Sequence, residues 1–235
     1  MRLAYAFTIV SCSLAACSVI DTTVGEGGPN EDASSDALGA VDAAATCAPG
    51  PVDASAFSFV PPSTPNPNAC TTSQVGALYD ACFAIHASLS ACQAFAADPT
   101  NATCYACMIS DQRDASTYGA LVSSGGVDNA NVPGCIALVT QDTSATGCAA
   151  ETQKQMDCEI AACLGGCPTV GDLASFEEYS RCVAAADTTV CASEVSSAKS
   201  TCTADGGPDA ASLAECESYA SFADFYNAMA ARFCE

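Results

Sequence analysis

The chain has no tryptophan, one histidine and only six basic residues in 235. Each shortage excludes something. Six Lys and Arg stand against 27 Asp and Glu, for a formal charge of −21. No basic patch is available to neutralise phosphates, so a nucleic-acid partner is excluded. The same acid excess opposes adsorption to anionic headgroups. Any Ser-His-Asp or Cys-His centre would have to use His86. The G-x-S-x-G elbow, the P-loop, G-x-G-x-x-G and H-E-x-x-H are all missing. Aromatics make up 7% of the chain, while alanine supplies about a fifth. Apolar burial is worth roughly 25 cal/mol per Å², so small side chains leave a thin core.

Cysteine is what the chain has in abundance, 18 residues, and position divides them into kinds. Arg2 is followed by an uncharged run from Leu3 to Ala16, the n-region and h-region of a secretory signal. The run is shorter than the ~20 residues that span a bilayer. It ends in Leu14-Ala15-Ala16-Cys17, which resembles the bacterial lipobox. The resemblance implies a signal peptide over 1–16, cleavage before Cys17, a diacylglyceryl group on its thiol and an amide-linked acyl chain. Several chains anchor stably where one does not. Leu14 at −3 suits a lipoprotein peptidase better than the A-x-A site of an ordinary one. Ser18 after the cysteine, in place of Asp, implies sorting to the outer membrane. The expected address is therefore exported and lipid-anchored, with the membrane as partner through Cys17.

Residues 17–46 read as a disordered tether. From Ser18 to Thr46 there is no Lys, Arg or aromatic residue, and six acids repel one another. A second extended piece, Pro61 to Pro67, reads as a stiff polyproline-like loop with Cys47 ahead of it.

Export removes Cys12, and lipid takes Cys17. Sixteen cysteines remain: Cys47, Cys70, Cys82, Cys92, Cys104, Cys107, Cys135, Cys148, Cys158, Cys163, Cys167, Cys182, Cys191, Cys202, Cys216 and Cys234. An even set in an oxidising compartment predicts up to eight disulfides in a domain over 47–235, whose connectivity spacing does not fix. At about 2–4 kcal/mol each, such bonds supplement the thin core.

The domain reads as mainly α, small and disulfide-stapled, with one short β-hairpin. Leu78, Cys82, Ile85, Leu89, Cys92 and Phe95 form one stripe of a helix over 74–96. Thr71 to Gln74 offers a capping box, and Asp98-Pro99 ends the helix. Further helices are expected near 146–164, 173–186, 190–202, 211–219 and 222–233. Asp172 is a candidate N-cap, and Ser212 with Glu215 a candidate capping box. Cysteines 9 to 12 residues apart suit a helix, a turn and a second helix. Residues 119–127 carry the hairpin signal.

The candidate chemistry is sparse. Cys104-Tyr-Ala-Cys107 is the one C-x-x-C, but no strand precedes it as a thioredoxin-like site requires. Met108 follows it, so the haem pattern C-x-x-C-H fails too. Cys158, Cys163 and Cys167 beside that motif are imaginable zinc ligands, with paired disulfides the stronger reading. His86 is expected packed beside Tyr79 and Phe83. Carboxylate pairs such as Glu177-Glu178 are expected by chance among 27 acids. Asp205 to Asp209 is a turn and lacks the ligand spacing of a calcium loop. No catalytic, cofactor or metal residue is assigned.

Lipobox, acidic tether and many-cysteine helical domain together resemble the cysteine-rich surface lipoproteins of myxobacterial-type genomes. Asn101-Ala-Thr-Cys-Tyr-Ala-Cys107 and Val132-Pro-Gly-Cys-Ile-Ala-Leu138 are similar to segments of that group. The resemblance implies no activity and carries over no site residue. The expected role is a non-enzymatic structural or binding function in the envelope. The alternative is an envelope thiol–disulfide protein or enzyme using Cys104 and Cys107.

Overall fold

The computed structural model describes residues 18–19 and 47–235, apart from 85, 114, 125–126, 168–172, 204–206, 209 and 218. The expected signal, Cys17, most of the tether and the Asp172 cap lie outside these residues. The described chain is mainly α with a small sheet, as its composition implies.

Thr71 caps α1 (Thr72–Cys82) with the anticipated capping box: its side chain accepts from Gln74 N, and the Gln74 side chain accepts from Thr71 N. The expected single helix over 74–96 is in fact two. α1 ends at Phe83, and α2 (Leu89–Ala97) restarts from Ser88, whose hydroxyl accepts from Ala91 N. The Cys82–Cys92 disulfide explains the break. Its Cα atoms are 4.7 Å apart, whereas residues ten apart on one helix would stand about 15 Å apart. Leu89, placed on the buried stripe by periodicity, is 60% exposed.

Two short helices escaped the sequence reading. α3 (Ala102–Met108) carries the C-x-x-C, and α4 (Val132–Thr140) starts from Asn131 with a proline in its first turn. α5 (Cys148–Cys163), α6 (Leu173–Asp187), α7 (Ala192–Thr203), α8 (Ala210–Glu217) and α9 (Phe222–Phe233) fall close to expectation. Ser212 sits within α8 and does not cap it.

The hairpin is β3 (Leu121–Ser124) with β4 (Val127–Ala130), antiparallel, with Ser123 opposite Asp128. β2 (Ile109–Asp111) runs parallel to β3 on its other side. β1 (Ser18–Val19), two residues of the expected tether, pairs antiparallel with β4. Gly119 lets the chain approach α3: a Cβ there would sit 2.2 Å from the Cys107 carbonyl oxygen.

Burial forms two clusters. The larger gathers α1, α3, α4 and α9 around Leu78, Met108, Ile136, Tyr226 and Phe233. The smaller lies between the C-terminal half of α5 and α6, around Tyr179 and Val183. α5 packs on α4, α6 and α7, so it belongs to both.

All sixteen cysteines pair. The bonds are Cys47–Cys167, Cys70–Cys104, Cys82–Cys92, Cys107–Cys234, Cys135–Cys216, Cys148–Cys202, Cys158–Cys191 and Cys163–Cys182. Eight disulfides are the chemistry of an oxidising compartment. Among the described residues, no helix is long and apolar enough to cross a membrane.

Candidate functional site

The structure separates the residues on which redox chemistry would depend. Cys104 and Cys107 do not bond to each other; Cys104 joins Cys70 and Cys107 joins Cys234. Cys104 is fully buried. A C-x-x-C dithiol exchanges through a bond within the motif and an exposed thiolate, and neither exists here.

The imagined zinc ligands are spent in the same way. Cys158, Cys163 and Cys167 each hold a different partner. The sulfurs of Cys47, Cys167 and Cys182 lie within 4.8 Å of one another because two bridges stack side by side. Bridged sulfurs are not the thiolates that bind zinc.

His86 is exposed in the bend after α1. It is not packed by the two aromatics expected beside it. Tyr79 and Phe83 turn instead to Phe222 and Tyr226 on α9, with ring centroids 5.3–6.1 Å apart. Glu177 is exposed on α6 with the neighbouring Glu178 half-buried.

A constellation that the sequence did not reveal lies on α5. Asp157 is largely buried where α5 meets the turn after β2 and the segment before Pro61. Its Oδ1 accepts from Gln112 Nε2 at 3.0 Å, and its Oδ2 from Gln153 Nε2 at 3.4 Å. The amide oxygens are committed elsewhere. Gln153 Oε1 accepts from Val60 N at 3.1 Å, and Gln112 Oε1 takes a short hydrogen bond from Ser124. Gln153 Nε2 also reaches the Ser58 carbonyl at 3.1 Å. The Tyr118 hydroxyl donates to the Gln112 carbonyl at 3.1 Å. Through these two amides one carboxylate is linked to Ser58 and Val60 ahead of α1 and to Ser124 in β3.

Burial pushes the Asp157 carboxyl up to about 6, and the two amide donors pull it back only in part. Among the described residues no cation pairs with it: the two ion pairs are Lys154 with Glu151 and Arg232 with Glu215. Tyr118 is pushed up to about 12, first by burial and then by the charges of Asp157 and Asp111.

Asp157 lines an open cleft of about 820 Å³, within the usual ligand-pocket range of roughly 300–1,000 Å³. Phe57, Val60, Ile160 and Leu164 give it apolar walls. Ser58, Tyr118 and the exposed Arg113 add polar groups. A second acidic contact lies farther along α5. Glu159, 2% exposed, accepts from Gln155 Nε2 at 2.8 Å and hydrogen-bonds Asp187 of α6. Burial raises Asp187. Glu159 is packed within the protein, whereas Asp157 faces solvent through the cleft.

In comparisons with known proteins, no family model, curated protein or solved structure matches this chain.

Proposed function

We propose that this protein is a lipid-anchored, disulfide-locked component of the bacterial cell envelope with a structural or binding role and no enzymatic one. The observation that carries the reading is the pairing of all sixteen cysteines from Cys47 to Cys234. With those sulfurs spent, Cys17 at the end of Leu14-Ala15-Ala16 is the cysteine of the exported chain with chemistry left to do. That chemistry is lipidation, and Ser18 after it favours the outer membrane. The cleft over Asp157 supports binding over scaffolding alone: it joins apolar walls to a few convergent polar groups, the common form of a ligand site.

Fractionation of cells producing the full chain tests the anchor. The wild type is expected in the outer-membrane fraction, acylated at its N-terminus. Cys17→Ser is expected to lose the acyl chains and leave that fraction. An unacylated wild type, or a variant equally membrane-bound, overturns the reading.

A further inference from the structure

We infer that the cleft between α5 and the residue 56–60 segment binds a small organic amine, with its ammonium on Asp157 and its apolar body along Phe57, Val60, Ile160 and Leu164. The inference rests on the binding half of the proposed function and is independent of the anchor.

Three observations carry it. Asp157 is a carboxylate at the edge of a cleft, held by two neutral amides and by no cation among the described residues. Two amide donors leave acceptor positions free, since an ionised carboxylate has about four lone-pair sites. A positive group entering the cleft would supply the missing charge and a charge-assisted hydrogen bond.

The neighbouring oxygens choose an ammonium over a metal ion. Calcium takes about 6–8 oxygen ligands. The side-chain oxygens of Gln112 and Gln153 already accept from Ser124 and Val60, so Asp157 would bring little company to a bare cation. An ammonium needs at most three acceptors. Asp157 supplies one, and Ser58 and Tyr118, whose hydroxyls can accept, line the same cleft.

The walls choose the body of the ligand. Beside its polar groups the cleft carries Phe57, Val60, Ile160 and Leu164, which a hydrated inorganic cation would leave wet, whereas an alkyl or aryl amine covers them. Arg113, which is exposed, is the cation of the described lining. It disfavours a second positive charge in the cleft, so a monoamine should bind better than a diamine of equal length.

The test uses the oxidised full-length chain at pH 7.5 with n-hexylammonium, hexanol, hexanoate and 1,6-diaminohexane as probes. Calorimetry gives affinity, and side-chain amide resonances of Gln112 and Gln153 report the location. Hexylammonium is expected to bind at least tenfold more tightly than hexanol or hexanoate, and more tightly than the diamine, and to shift both amides. Asp157→Asn should weaken it at least tenfold. Because that substitution sets an amide against two donors, Ala161→Trp provides a second variant. It fills the cleft from an exposed helix position with Asp157 intact, and it should also abolish binding. Equal binding of hexanol, undisturbed amides, or full affinity in Ala161→Trp overturns the inference. Failure here leaves the acylation result untouched, so the two readings fail separately.

Discussion

The Tyr226 hydroxyl donates a 3.0 Å hydrogen bond to the Val75 carbonyl, joining α9 to α1 across 151 residues. Tyr226 is fully buried, and burial raises its ionisation well above the ordinary tyrosine value. The Val75 carbonyl also serves its own helix, so Tyr226→Phe should keep the packing and lose one bond. The expected cost is about 1 kcal/mol, read as a lower denaturation midpoint with an unchanged slope. Tyr226→Ala should cost about 3–5 kcal/mol, as a large aromatic leaves a cavity.

Asn131 is a clamp. Its Oδ1 accepts from Gly134 N at 2.8 Å to cap α4, and its Nδ2 donates to the Gly119 carbonyl at 2.7 Å. Asn131→Ala removes a cap and strands a buried carbonyl, for an expected loss of about 1–3 kcal/mol. Gly134→Ala should act on the same clamp from the other side, because its Cβ would meet the Asn131 side chain at 2.2 Å. The double variant should cost less than the sum of the singles, which a mutant cycle measures.

Non-reducing peptide mapping should give the eight pairs above and no Cys104–Cys107 bond. Cys82–Cys92 closes a separation of only 10 residues, the smallest of the eight. Its double alanine variant should lose roughly 2–3 kcal/mol on loop-entropy grounds and still fold. The α2 hairpin should then exchange amide protons first, since Phe95 is its one buried side chain.

Acidification should stabilise the protein before it harms it. Asp157 sits at about 6 in the folded state against 3.8 for an ordinary aspartate, and Asp187 is raised as well. Groups raised in this way favour the folded state below their unfolded values, and that gain is lost as pH rises through the folded ones. Asp157 alone corresponds to about 2–3 kcal/mol lost between pH 4 and pH 7. Asp53, Asp98 and Asp142 are lowered by hydrogen bonds from Ser55, Thr100 and Ser144. Their contribution disappears as pH falls below the usual carboxylate range. The melting temperature should therefore peak near pH 4, where both contributions are largely present. Asp157→Asn should flatten the alkaline side of the curve, where Tyr118, raised to about 12, keeps its proton.

Local chemistry was legible in the sequence and distant pairing was not. The Thr71–Gln74 box, the β3–β4 hairpin and the helix over 222–233 each declare themselves within a few residues, and each stands where expected. The bend after α1 was hidden because the apolar spacing runs on through it. Ser88, a good cap, was the overlooked signal. Asn131 ahead of Pro133 likewise announced α4. Asp157 had no local mark: it is one of 27 acids, and its burial depends on Gln112, 45 residues away, and on the segment that Gln153 holds from 93 residues away.

The bridges Cys47–Cys167 and Cys107–Cys234 overlap in sequence. Together they enclose every peptide bond between Cys47 and Cys234. A protease that cuts the domain once, anywhere in that span, frees no fragment. A nicked molecule keeps its mass and its covalent link to whatever precedes Cys47. For a protein of an oxidising compartment, damage then has to strike more than once before anything is shed.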